Sequence, residues 1–375
     1  MLVFAAFGAI VGIFAGAIPV LMRQTGISSE QLGLALSAMT IATVLVMSFG
    51  GSIARRFTHR ALLLTCLPLV SITLTVIMIE TSATVFFTAL IIHGALLGLI
   101  DIIMNAEGSA IEHDLKRPVF TAFHGCVSAG VAVSAIASSF ITARFGTLAA
   151  TAFALIFVAT AWFLVWRNSP SRILPTPEQT AATRVASLPL VLMGVATGLV
   201  IASETSAMFW SAKLLDDLAP DLASIAGLGA AFFGFCTALV RFPGDALRAR
   251  FGDFKLMLVS LCVAIVGFLG LGISPSFGFS VFAFAVVGFG TSIVCPCIFN
   301  MATSHVPSNR AAGMAFASMV AGVPRIAAPY LFGWVSGSYT VSTAFGLCAA
   351  MMVVALLLVL ALSRHRHMAQ TGSAA

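Results

Sequence analysis

At least five ionisable side chains stand inside long apolar runs, among them Asp101, His124, Glu204, Arg241 and Arg325. Glu204 is the deepest, in Val195-Ala-Thr-Gly-Leu-Val-Ile-Ala-Ser-Glu204-Thr-Ser-Ala-Met-Phe-Trp210. An ionisable group within a membrane is costly, so it faces a bundle interior or a water-filled cavity and marks a path for ions, protons or polar solutes. A carboxylate that must be neutralised or paired before its surroundings close suits proton coupling. That role is favoured here over a Glu fixed against a structural Arg. Thr197 and Trp210 flank it on the same run.

Asp101, Asn105, Gly108 and Glu112 follow one another at helical spacing and share a stripe, with Glu107 well off it. The stripe reads as a polar face lining a cavity, and Glu112 reads as having already left the membrane. His124 has Ser128 four residues on, and its unperturbed pKa of ~6.5 suits proton traffic. A relay with Asp101 and a structural donor are equally open for it. Arg325 lies in Gly322-Val-Pro-Arg325-Ile-Ala-Ala-Pro329. Two prolines free backbone carbonyls there, and an Arg fork binds a substrate carboxylate or neutralises an acid. A structural ion pair is the competing reading. Arg241 and Asp245, four apart, read as a local pair at a gate. The pattern Cys295-Pro-Cys297 has no nearby His or acid in sequence and reads as small apolar packing.

The elements that position these groups follow from composition. The chain of 375 residues is 60% hydrophobic and 9% charged, with mean hydropathy +1.08. Soluble proteins carry about 25% charged residues. Twelve apolar runs are long enough to cross a membrane: 2–22, 33–54, 61–79, 84–108, 119–142, 147–166, 188–212, 223–246, 256–274, 278–301, 311–335 and 341–362. The fold class is an all-α membrane protein. Its halves are residues 1–166 and 188–375, joined by a polar, proline-rich linker at 167–187. The first residues already belong to a span without a basic leader, so no removable signal peptide is expected, and a longer native N-terminus stays open.

Of 19 Lys and Arg, 14 fall in connections on one side, three on the other and two within spans. The basic side is cytoplasmic by the positive-inside rule, with both termini and the linker. The net charge of +6 follows that topology pattern and does not point to nucleic acid. The seven cysteines all fall in apolar runs and form no disulfide framework. No phosphate-binding glycine loop is present, which argues against an ATP-driven pump. No metal or cofactor site is expected.

The halves also repeat. Gly50-Gly-Ser-Ile53-Ala-Arg-Arg56-Phe57-Thr58 recurs 194 residues later as Gly244-Asp-Ala-Leu247-Arg-Ala-Arg250-Phe251-Gly252, and Asn105 matches Asn300 at a shift of 195. Two parallel halves around a midplane site is a transporter architecture.

These residues resemble the major facilitator superfamily along the whole chain. Gly51, Ile53, Ala54, Arg56 and Arg60 resemble its cytoplasmic signature after the second span, with Arg55 in place of the acid and Thr58 in place of the second glycine. The resemblance implies gate or conformational roles for Gly51, Arg56, Arg241, Asp245 and Arg250, with Asp245 placed to substitute for the missing acid. Asp101-Ile-Ile-Met-Asn105-Ala-Glu-Gly108, Phe123-His124-Gly125-Cys-Val-Ser128-Ala-Gly130 and the Glu204…Trp210 spacing resemble a bacterial subgroup that includes a proposed rhizopine transport protein. The expectation is a monomeric secondary active transporter of the bacterial inner membrane. It carries a small polar solute, sugar- or inositol-like by resemblance, through Asp101, Asn105, His124, Glu204, Trp210, Asn300 and Arg325, with protons as the drive. Efflux of a drug or metabolite by proton antiport is the alternative. A non-transporting sensor and an intramembrane enzyme rank below both, since no nucleophile accompanies Asp101 and His124.

Overall fold

A computed structural model describes residues 1–49, 56–169, 186–306 and 309–372. Among them the chain forms thirteen α-helices, one 3-10 helix and no strand. They are α1 (Leu2–Thr25), α2 (Ser29–Phe49), α3 (His59–Ile79), α4 (Ala83–Leu115), α5 (Phe120–Asn168), α6 (Leu188–Leu218), a 3-10 turn (Pro220–Ile225), α7 (Leu228–Arg241), α8 (Gly244–Phe251), α9 (Asp253–Ile273), α10 (Phe277–Thr291), α11 (Val294–His305), α12 (Arg310–Ser338) and α13 (Val341–Gly372). Most of the expected linker, 170–185, lies outside the described residues, as do Gly51, Ile53, Ala54 and Arg55 of the signature.

Helix α5 has 49 residues. An unbroken helix of that length would run about 74 Å, against ~30 Å of hydrocarbon. Gly146 resolves this, with φ 82° and ψ 171°, a left-handed conformation that glycine adopts without a Cβ clash. The chain turns there, and α5 supplies both the fifth and the sixth expected spans. Large apolar side chains such as Ile72, Ile156, Val266 and Phe282 face outward, while Phe86, Phe284, Phe332 and Phe345 fill the interior. That outward oil is what a lipid-facing surface requires.

Two expected spans are interrupted. The eighth stops at Arg241, because Pro243 follows and the short polar helix α8 begins separately. The tenth divides into α10 and α11 at Ser292–Ile293. Pro296 lacks an N–H and so leaves the Ser292 carbonyl without its helical donor.

Small residues bring backbones together. A Cβ on Gly12 would lie 2.6 Å from the Val131 carbonyl oxygen, so α1 lies main chain to main chain on α5. Gly33 of α2 and Gly333 of α12 meet in the same way. One turn along, Ser37 of α2 enters the α12 ladder just after Pro329. Its hydroxyl donates to the Ile326 carbonyl at 2.9 Å and accepts from the Tyr330 amide at 2.9 Å, so it stitches two groups four residues apart on α12.

Candidate functional site

A file of polar groups crosses four helices. On α4, Asn105 Nδ2 donates to Asp101 Oδ1 at 3.0 Å, and Asn105 Oδ1 meets Nε2 of His124, from α5, at 3.0 Å. Phe4 and Phe120 hold that imidazole edge-on at 5.6 and 5.1 Å. One turn further on α5, Ser128 donates to the His124 carbonyl at 3.2 Å and accepts from Arg241 Nη1 at 3.1 Å. Arg241 Nη2 in turn reaches Glu204 of α6, 3.2 Å from Oε1 and 3.4 Å from Oε2. Arg241 Nε donates to the Ser292 carbonyl at 3.1 Å, the acceptor that Pro296 had freed. The side chains of Arg241 and Glu204 keep 15% and 16% of their surface accessible, so the pair is interior yet reachable by water. The buried Thr291 hydroxyl lies beside the Glu204 carboxylate without good hydrogen-bond geometry.

Arg325 of α12 stands across from Asp101. The two interact electrostatically without forming a contact ion pair. Cys295, at the start of α11, lies within electrostatic range of Glu204, Arg241 and Arg325. Two carboxylates, two guanidiniums, an imidazole and a primary amide therefore share one interior region. Such a set can hold a polar solute and exchange a proton; it has no nucleophile poised against a base. Among the described residues no cluster of three or more His, Cys, Asp or Glu could hold a metal ion.

Several expectations need correction. Arg241 does not pair with Asp245, because the turn at Phe242–Pro243 separates α7 from α8 and the four-residue spacing no longer marks one helical face. Arg241 turns inward to Glu204. Asp245 instead accepts from Thr121 of α5 at 2.8 Å and from Arg248 at 3.2 Å. Asp101 and His124 do not touch, because Asn105 stands between them. Asn300 is exposed on α11 and bonds Asp253 rather than any member of the polar file. Trp210 is buried against Phe332, with centroids 4.9 Å apart, and packs rather than lining the file. Arg56 is exposed in a turn, and Arg250 lies over the Phe251 ring at 5.3 Å. Gly51 lies outside the described residues. Glu107, off the stripe, bonds His59 Nδ1 at 2.5 Å, and Glu112 caps α5 by accepting from the Val119 and Phe120 amides at 2.8 and 2.7 Å. Sequence reasoning missed Ser292 and Thr291. The signal was Pro296, visible between two cysteines, which marks a carbonyl in search of a donor.

With that geometry in place, the profile of the Major Facilitator Superfamily matches residues 1–213 and again 193–375. The chain belongs to the Major Facilitator Superfamily. An uncharacterized MFS-type transporter of Yersinia pestis is 27% identical over 343 residues, which is 90% of this chain and 88% of the relative. Membrane protein MosC of Rhizobium meliloti is 21% identical over 96% of this chain and 88% of its own length. An uncharacterized transporter of Sinorhizobium fredii is 25% identical over 92% and 93%. Among solved structures, the nucleoside transporter NupG superposes with a TM-score of 0.70 at 15% identity, covering 96% of this chain and 97% of NupG, and a point mutant of NupG superposes at 0.75. The human organic anion transporter MFSD10 superposes at 0.67 and 15%, covering 96% of this chain and 98% of its own. The chain is a multi-pass membrane protein with the superfamily's transporter fold, a fold and family of carriers rather than enzymes.

Proposed function

We propose that the chain is a secondary active transporter of the bacterial inner membrane, with both termini cytoplasmic. It moves a small polar solute by alternating access of the halves 1–166 and 188–375, coupled to protons. The observation that carries this reading is the polar file itself. Asp101, Asn105, His124 and Ser128 come from the first half, Glu204 and Arg241 from the second, and the Ser128–Arg241 hydrogen bond joins them. Rocking the halves around such a site would remake that junction while Glu204 and Arg241, both in the second half, stay together. Cross-half contacts stand at two ends. Arg23 pairs with Asp216 at 2.6 Å and Ser139 accepts from the Gly227 amide at 3.0 Å at one, and Thr121 bonds Asp245 at the other. Alternating access would break one set while keeping the other.

In this reading Glu204 exchanges its proton as the Ser128–Arg241 junction is remade, which changes how much of the Arg241 charge Glu204 receives. The solute is polyhydroxylated, sugar- or inositol-like, from the resemblance of the Asp101 and His124 segments; efflux by proton antiport is the competing direction. The test uses purified protein in proteoliposomes. Glu204→Gln keeps an amide that still accepts from Arg241 but cannot release a proton. Uphill, pH-driven accumulation should vanish while exchange of labelled solute persists. Undiminished accumulation by Glu204→Gln would remove Glu204 from the coupling, and absence of counterflow by the wild type for every polyol, nucleoside and organic acid tried would sink the transporter reading.

A further inference from the structure

The two interior guanidiniums differ in what they hold. Arg241 commits its donors to Glu204, Ser128 and the Ser292 carbonyl. Arg325 commits none: among the described residues no acceptor takes a hydrogen bond from it, and no carboxylate reaches ion-pair contact. The carboxylate that acts on it electrostatically is Asp101, without contact, while Asp101 Oδ1 is engaged by Asn105. Arg325 nevertheless sits mid-helix between Pro324 and Pro329 and is only partly accessible. A guanidinium carries five N–H donors in a rigid fork, and no Arg325 nitrogen is among the described buried atoms that lack a partner, so the fork faces accessible space. Were Arg325 a fixed structural partner of Asp101, the pair would close to contact, as Arg241 and Glu204 do.

We infer that Arg325 is the anion-binding half of the solute site, receiving a carboxylate of the transported molecule in the space it shares with Asp101. The planar fork matches a carboxylate bidentately. The second oxygen of Asp101 and the Asn105–His124 pair are acceptors and donors for hydroxyls on the same molecule. The solute class is then a small hydroxylated organic acid, such as a sugar acid, which narrows the polyhydroxylated, sugar-like solute to its acidic members. The bound carboxylate would replace Asp101 as the counter-charge of Arg325 and release Asp101 to its own hydrogen bonds. This inference names the solute class for the site of the proposed transporter and rests on that reading.

The test is thermal unfolding of the purified full-length protein with matched pairs at equal ionic strength: glucuronate and glucose, galacturonate and galactose, gluconate and sorbitol, lactate and propane-1,2-diol. Acid members should raise the unfolding temperature above their neutral partners. Arg325→Gln should erase that preference while keeping a monodisperse, cooperatively unfolding protein. Arg325→Lys, which keeps the charge and loses the fork, should weaken the apparent acid affinity by roughly tenfold and decides the matter if the Gln variant does not fold. Neutral partners matching acids in every pair, or an acid preference unchanged in Arg325→Lys, overturns the inference. Counterflow separates the two levels. Acid binding that depends on Arg325 without counterflow leaves the anion site standing and removes the transporter. Counterflow of a neutral polyol that is indifferent to Arg325→Gln does the reverse.

Discussion

At the scale of residues, the Asp101–Asn105–His124 line has a direction. An ionised carboxylate only accepts, so Asn105 must turn its Nδ2 to Asp101 and its Oδ1 to His124, whose Nε2 then carries the hydrogen. A protonated Asp101 gains one O–H donor but keeps an accepting oxygen, so it can hold Asn105 Nδ2 as before or donate to an inverted Asn105, whose Nδ2 would then meet a bare Nε2. In the inverted arrangement the proton at Asp101 is matched to the tautomer of a histidine it never touches. If the three act as one unit, Asp101→Asn and His124→Gln should each depress transport, and the double variant should be little worse than either. Multiplicative losses in initial uptake rates would show independence. The stripe that joins Asp101 to Asn105 was legible from helical spacing alone, as was the presence of His124 nearby. The partner that each side chain chooses was not, because it depends on how α5 is rotated against α4. Arg241 shows the same boundary. Its spacing to Asp245 promised a local pair, but four-residue arithmetic presupposes an unbroken helix, and Pro243 ends that helix.

At the scale of elements, prolines inside helices recur with a common consequence: each deprives the carbonyl four residues earlier of its donor, and at two of them a side chain from a neighbouring helix takes it. Pro296 frees Ser292 for Arg241. Pro68 of α3 frees Leu64, and Trp162 of α5 donates its Nε1 there at 3.0 Å. The prolines themselves stand in the sequence, and the carbonyl four residues before each can be numbered from it, although the runs around Pro68 and Pro296 read as single spans. The donors could not, since they arrive from distant parts of the chain. The Trp162 contact makes a clean test. Trp162→Phe strands the Leu64 carbonyl and should cost about 1–2 kcal/mol. Adding Pro68→Ala restores an N–H to that carbonyl, so the double variant should recover most of the loss in thermal unfolding. Additive losses would show that Trp162 stabilises by packing alone. The fifth and sixth spans were likewise separable in sequence around Gly146, whereas the split at Ser292 was hidden in an uninterrupted apolar run.

At the scale of the whole molecule, twelve crossings were legible because the apolar runs are long and the connections short, and orientation rests on where Lys and Arg collect. If the basic side is cytoplasmic, a cysteine replacing Ser171 should resist an impermeant thiol label outside intact cells, and one replacing Ala219 should react. The reverse pattern would invert the protein. The same scale gives Ser37 a wider meaning. Its hydroxyl sits between Ile326 and Tyr330, one turn from Arg325, yet it belongs to α2, in the other of the two proposed halves. A motion that drew α2 away from α12 would leave that turn unstitched beside Pro329, whose ring already removes one helical N–H. The helix that carries Arg325 would then be freer to bend. If the proposed halves rock about a site at Arg325, the opening of the molecule and its hold on solute would be geared together through one hydroxyl, so that parting the lips would slacken the hand.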